Sequence, residues 1–350
     1  MGIDISSTGI KLIELSGNRS GYELSAMATV PLPRDAIVEN TIIDSTAVTQ
    51  ALIEAVKIAK PSTRNVALSV SGNAVIIKTI TVASTSEFDL EAQIEFEADQ
   101  HVPYDVDDVF LDFFIQGISA DDPEMMDVVL VACKREVIED YQLVLNEADL
   151  NAKIVDCGVF ALENAAEITD EHTAIDESSE HMLPDEDAEV NALINIGANM
   201  MNINVLINGR MAFVRDQFYG GQNLTEEIQK AHNMSYHNAE QLKINNFSDI
   251  HADALEHFYV GLTSELVRSL DFYSASRAEF PVRKLFLCGG SALLPNITTE
   301  LEQRLGIDTA ILNPLQNIKI SSRKFNVQKE RDLGPMMMVP IGLALQNFDK

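Results

Sequence analysis

Tryptophan is absent, cysteine occurs three times, and Lys plus Arg number 25 against 54 Asp plus Glu, a net charge of −29 over 350 residues. Each shortage excludes something. Cys133, Cys157 and Cys288 are too few, odd in number and too widely spaced for a disulfide framework or a zinc knuckle, which points to a reducing cytoplasm. The scarcity of cations argues against general nucleic-acid binding and against docking on an anionic leaflet, and no basic stripe is expected along the chain. No apolar run approaches the ~20 residues of a membrane-spanning helix, and no basic-then-apolar leader opens the chain. The seven histidines form no HExxH pattern, and there is no Gly-x-Ser-x-Gly elbow, so zinc hydrolysis and acyl transfer find no support.

What is there is a globular chain, 46% apolar, with an internal repeat. Extended runs at 2–5, 10–15 and 22–32 predict an antiparallel meander, followed by a helix to Ala59 that Lys60-Pro61 stops, and by strands at 66–70 and 75–82. From 84 to 150 the pattern reads helix (87–100), strand, acidic loop, strand and helix, an inserted α+β subdomain in an otherwise α/β chain. The segment 151–169 returns to the first lobe core of 1–83. Between 170 and 189 nine acidic residues occur without a Lys or Arg, which reads as a solvated connector. A second strand system then fills 190–350, with Asn208-Gly209 as a hairpin turn, helices over about 222–280, a strand ending in Gly289-Gly290 before a helix, and a last helix at 339–347.

Ile3-Asp4-Ile5-Ser6-Ser7-Thr8-Gly9-Ile10 aligns with Ile194-Asn195-Ile196-Gly197-Ala198-Asn199-Met200-Met201, 191 positions on. Two such hairpins heading two α/β halves imply lobes that face each other across a cleft, where ligands bind at strand ends. Small turn residues bring backbone amides close to an anion; the hydroxyls of Ser6, Ser7 and Thr8 add donors and Lys11 a point charge. The strand-Gly-Gly at 285–290, with Ser291 and Leu294 beyond it, leaves room for a flat group such as adenine at a helix N-terminus. Cys157 beside Asp156 has no histidine partner in view, and Met336-Met337-Met338 reads as core or hinge packing.

Together these motifs resemble the actin, Hsp70 and sugar-kinase superfamily, with its duplicated, ribonuclease H-like two-lobe fold. Within it, Gly-Ile-Asp-Ile-Ser-Ser-Thr (2–8), Val-Pro-Tyr (102–104), Gly-Gly-Gln-Asn-Leu-Thr (220–225), Leu-Cys-Gly-Gly-Ser-Ala (287–292) and Pro-Ile-Gly-Leu-Ala-Leu (340–345) follow the order of the PilM family of type IV pilus assembly proteins, relatives of the cell-division protein FtsA. The resemblance implies that Ser6, Ser7, Thr8 and Lys11 form a first phosphate-binding turn and Asn195, Gly197, Ala198 and Asn199 a second. Gly220 and Gly221 would approach the nucleotide, Glu240 and Lys243 flank ribose and adenine, and Gly289, Gly290, Ser291 and Leu294 carry the adenosine. The implied cofactors are ATP or ADP with Mg²⁺, the metal held through water by Asp4 and Asn195.

Two departures stand out. Asn195 replaces the superfamily's usual aspartate, and Met200-Met201 replace polar turn residues. Both weaken the positioning of metal and attacking water more than they weaken binding. The reading therefore favours a nucleotide-responsive scaffold over an efficient ATPase, with Asp4 and Asp156 as the candidate bases were there catalysis. The family implies a cytoplasmic protein, peripheral at the inner membrane through its partner, the N-terminal cytoplasmic peptide of PilN. The peptide's groove would lie between the first lobe and the insert, whose Glu87, Asp89, Glu91, Glu95, Glu97 and Asp99 suit a basic peptide. Further pilus motor or inner-membrane subunits and self-association are additional partner candidates. The alternatives are an FtsA-like division protein, which would need a basic amphipathic end that the sequence Gln346-Asn347-Phe348-Asp349-Lys350 lacks, and a sugar-kinase-type phosphotransferase, for which no sugar-binding signature is visible.

Overall fold

The computed structural model describes residues 1–18, 20–119, 122–169 and 188–346. Most of the acidic connector expected over 170–189 lies outside them, as does Asn347 at the end of the expected last helix. The first lobe is a five-stranded sheet ordered β10-β6-β1-β2-β3, from β1 (Gly2–Ser6), β2 (Gly9–Asn18), β3 (Gly21–Pro31), β6 (Asn65–Val70) and β10 (Asn151–Cys157). The first three strands are antiparallel, and β6 and β10 continue in parallel. A tight hairpin, β4 (Ile37–Val38) and β5 (Thr41–Ile42), leads into α1 (Ser45–Ala59). Asp44 caps α1 by accepting from the Ala47 amide, and Lys60, at φ 50°, ends it.

After β6 the chain leaves this sheet for an antiparallel one ordered β7-β9-β8, from β7 (Val75–Ala83), β8 (Val109–Ile118) and β9 (Met125–Lys134). Its strand β7 starts ahead of the boundary read at 84. The expected helix 87–100 is two pieces, α2 (Glu87–Glu91) and α3 (Ile94–His101); neither Gly nor Pro marks the break, where the Gln93 amide bonds only three residues back to Leu90. Leu90, Ile94 and Ala98, four apart, point inward onto Ile80, Val82, Val128, Leu130 and Ala132. Helices α2 and α3 therefore cover one face of the small sheet, with their acidic side chains on the outer side. Its opposite face carries Phe110, Asp112 and Phe114, in register with Cys133, Val131 and Val129, and Cys133 joins the first-lobe core. Helix α4 (Arg135–Glu147) also packs into that core through Val137, Tyr141 and Val144, so it belongs with the first lobe.

Helix α5 (Gly158–Ala166) follows β10, and the second lobe repeats the plan of the first: β11 (Val190–Ile196), β12 (Met201–Ile207) and β13 (Arg210–Gln217) form the meander. Asn208 and Gly209 both have positive φ, 51° and 76°, as their hairpin turn requires. Helices α6 (Gly221–His232), α7 (Tyr236–Asn245) and α8 (Ala252–Ser276) come next, then β14 (Lys284–Cys288). Beyond Gly289 stands a short 3-10 turn, Gly290–Leu293, in place of the expected α-helix. Two elements absent from the sequence reading, α9 (Ile297–Leu305) and β15 (Asp308–Ile311), follow it and complete the sheet order β13-β12-β11-β14-β15.

Two of the junctions between the lobes lie where the last helix crosses α5 and at the far edge of the first sheet. Helix α5 and α11 (Met338–Ala344) cross between the sheets, where a Cβ on Gly342 would collide with the Ala161 carbonyl, and a core of Ile13, Leu162, Leu193, Phe286 and Ile341 draws on both lobes. At the far edge of the first sheet, Lys319 pairs in parallel with β3, donating to the Tyr22 carbonyl and accepting from the Leu24 amide at 2.9 Å each. Between Lys319 and α11 lies the short helix α10 (Val327–Asp332). No described helix is long and apolar enough to cross a membrane, and Cys133, Cys157 and Cys288 are free and buried.

Candidate nucleotide cleft

The β1–β2 turn and the β11–β12 turn face each other across a cavity of about 1200 Å³. Ser6, Ser7, Thr8 and Lys11 line one wall; Asn195, Gly197, Ala198 and Asn199 line the other; Gly221, Glu240, Lys243, Gly289, Gly290, Ser291 and Leu294 close the far end. Of the residues singled out from the sequence, Gly220 and Asp156 do not line it. Asp156 is half-buried and held by the Cys157 amide and the Gln346 side chain at 2.7 Å each, and desolvation pushes its carboxyl up to about 6. Asp4 does line the cavity, ion-paired to Lys11 at 2.6 Å with both side chains about 15% exposed.

The two turns are built differently. Asp4 and Lys11 are cross-strand partners; at the repeat-equivalent places stand Asn195 and Asn202, also partners. The Asn195 amide donates to the Asn202 oxygen at 2.8 Å, Asn202 donates to Asp216 of β13 at 2.7 Å, and the other Asp216 oxygen accepts from the Gly72 amide of the first lobe at 3.0 Å. A carboxylate only accepts, so Asp216 sets the direction of both amides and leaves Asn195 with its carbonyl oxygen free. Burial raises the pKa of Asp216. Of the two methionines read as turn residues, only Met200 is in the turn, lining the cavity; Met201 is fully buried in β12.

At the far end the segments are knitted by backbone. The Gly221 amide donates to Gly197 O at 3.0 Å, the Gln222 amide to Ala198 O at 2.8 Å, and the Ser291 hydroxyl to Gly197 O at 2.9 Å. Gly289, at φ 89°, lies so close to β11 that a Cβ would fall 2.5 Å from Asn195 Oδ1. Lys243 Nζ reaches Glu240 at 2.7 Å, Thr225 at 2.7 Å and Gly221 O at 3.0 Å, while the Thr225 hydroxyl donates to Glu240 at 2.5 Å. Thr225 was quoted in the motif at 220–225 without a role; it is the node that locks the Glu240–Lys243 pair. Sequence reasoning also missed Arg34 and Tyr236. The Arg34 guanidinium stacks over the Tyr236 ring at 4.5 Å, joining the lobes beside the cavity. Among the described residues no group of three His, Cys, Asp or Glu side chains is arranged to hold a metal.

The family model for type IV pilus assembly protein PilM matches residues 2–348. The chain belongs to that family. Among solved structures, a PilM–PilN type IV pilus biogenesis complex is 26% identical over 99% of this chain and 98% of that chain, with a TM-score of 0.84. The ethanolamine utilization protein EutJ of Carboxydothermus hydrogenoformans (13% identity, 99% and 89% covered, TM-score 0.58) and ADP-bound MreB5 of Spiroplasma citri (12% identity, 97% and 93% covered, TM-score 0.51) share the fold. The two-lobe architecture of this PilM-family chain is thus the actin-like one, with the small β7-β9-β8 sheet inserted after β6.

Proposed function

We propose that this chain is a nucleotide-binding, actin-like scaffold of the type IV pilus assembly complex, working at the cytoplasmic face of the inner membrane by recruiting the N-terminal cytoplasmic peptide of PilN. The observation that carries the nucleotide part is the convergence of both hairpin turns and the Gly289–Ser291 segment on one cavity, larger than the ~300–1,000 Å³ of a typical ligand pocket. Lys11 and the backbone amides of the two turns would hold the phosphates, and the Glu240–Lys243–Thr225 cluster the ribose and base. Mg²⁺ fits as a mostly hydrated ion beside Asp4 and the free carbonyl of Asn195, because the protein offers too few ligands for a closed site. With one charge fewer at Asn195, orientation of an attacking water has little support, so turnover well below the ~10 per second typical of enzymes is expected.

The partner part draws on the similarity to PilM in complex with PilN. The face of the insert turned toward the first lobe offers Phe114, 65% exposed, beside Phe110 and Asp112. The six carboxylates of α2 and α3 lie across the sheet from that face, so a basic residue of the peptide would meet Asp112 rather than them. Two titrations test the proposal. ATP or ADP with Mg²⁺ should raise the melting temperature, as any ligand of the folded state does. A synthetic PilN N-terminal peptide should bind with micromolar or better affinity, weakened about tenfold or more by Phe114→Asp. Unchanged peptide affinity in that variant would refute the groove, and no thermal shift with any nucleotide would refute the cleft.

A further inference from the structure

Two surface features remain unused by cleft and groove. Phe88 on α2 and Phe96 on α3 are 79% and 71% exposed, the two most exposed large apolar side chains described. They stand among Glu87, Asp89, Glu91, Glu95, Glu97 and Asp99, none of which forms an ion pair among the described residues. Two of the exposed phenylalanines are covered by a cation, Arg135 lying 4.2 Å over Phe110 and Arg215 4.1 Å over Phe272. Among the described residues Phe88 and Phe96, like Phe114 and Phe218, have no such cover. The second feature overturns the expectation that the chain collects no basic stripe. Five of its 25 Lys and Arg fall within residues 319–331, where Glu330 is the sole acid. Arg323, Lys324 and, on α10, Lys329 are exposed and form no ion pair among the described residues; Phe325 between them is half-buried and Asn326 caps α10.

We propose that the α2–α3 face of one molecule receives the 319–331 loop of a second copy of this chain. The cations of the loop match the carboxylates in sign, and their planar or compact heads suit the uncovered phenylalanine faces. The two surfaces spring from opposite sides of the first sheet. The insert leaves the first sheet after β6 and the chain returns into β10 at one edge, whereas Lys319 docks on β3 at the other, four strand spacings or about 19 Å away. A contact between two different patches is either reciprocal, closing a twofold dimer, or head-to-tail, leading to a ring or an open row of copies. The overall charge of −29 opposes approach, but the Debye length of about 8 Å at physiological ionic strength screens distant charges and leaves the apposed patches to decide.

The test is sedimentation velocity of the full chain from low micromolar to about 100 µM, where a weak interface of this kind is half-occupied. Concentration-dependent growth beyond the monomer is expected. The triple variant Arg323→Glu, Lys324→Glu, Lys329→Glu should weaken association at least tenfold, as should Glu91→Lys with Glu95→Lys. A mixture of the two variants should restore it, because one pair of complementary surfaces is regenerated. Phe88→Ser with Phe96→Ser should weaken it without altering charge. Monomer at every concentration, or failure of the mixture to recover association, overturns the proposal. So does binding of the loop to phosphatidylglycerol vesicles, lost in the triple variant, with a chain that stays monomeric.

Discussion

The two hairpins that head the lobes have the same register and opposite electrostatics. In the first, Asp4 and Lys11 form an ion pair at the cavity wall. In the second, the equivalent strand positions hold a neutral amide pair, Asn195 and Asn202, and the negative charge has moved one strand away to Asp216, out of the cavity and onto the Gly72 amide of the opposite lobe. A repeated backbone thus supports two tasks. The first hairpin keeps a paired cation beside the cavity, the one proposed to hold phosphate. The second uses its carboxylate to tie the lobes, and its amides transmit that tie to the cavity wall.

The largest expected effect probes another inter-lobe carboxylate resting on β12. Glu163 of α5 accepts from Asn204 at 2.6 Å, and burial pushes its carboxyl up to about 7. Because that value lies above the ordinary 4.5, the folded protein holds a proton that the unfolded chain has released. This contribution to stability is therefore full below about pH 4.5 and is lost as the pH rises through 7, by ~3 kcal/mol in all. Urea unfolding at a series of pH values should show the decline, and Glu163→Gln should flatten it; identical pH profiles would place the carboxylate's influence elsewhere. Next, Lys11→Ala should weaken nucleotide binding about 100-fold by calorimetry, since a charge-assisted hydrogen bond contributes ~1.5–3 kcal/mol. An equal loss on removing Lys243 alone would erase the distinction between the phosphate wall and the far end. The smallest is Asp216→Asn, which leaves either Gly72 or Asn202 facing a donor in place of an acceptor and should cost about 1–2 kcal/mol in chemical denaturation. If the charge of Asp216 does nothing beyond local structure, nucleotide affinity will stay at its wild-type value while stability falls.

The hairpins, their turns and the strand ending in Gly289 were legible in the sequence because they rest on local rules: alternation, small turn residues, and a backbone that only glycine can adopt. The internal repeat added the expectation of two facing lobes. Less was legible where tertiary contact decides. Strand β15 is only four residues long, and the break between α2 and α3 has no residue that announces it, whereas α9 carries Ile297, Leu301 and Leu305 four apart, a period that was open to reading. The assignment of β7 to the inserted sheet and of α4 to the first-lobe core depends on which surfaces their apolar sides meet. Within the site, Arg34, Tyr236 and Thr225 come from three separate segments that only folding brings to the cavity. The charge on α2 and α3 was plain, but not that the sheet would stand between it and the face that carries Phe110, Asp112 and Phe114.

The Lys319 bridge to β3 and the crossing of α5 with α11 pin the lobes at two separate points. Further ties cross between them, from the Gly72 amide to Asp216, from Asn204 to Glu163 and from Gln116 of the insert to the Met211 carbonyl, so lobes and insert brace one another around the cavity. The Arg34–Tyr236 stack adds a strut beside the cavity itself, so a change at any one of these ties is felt at its walls.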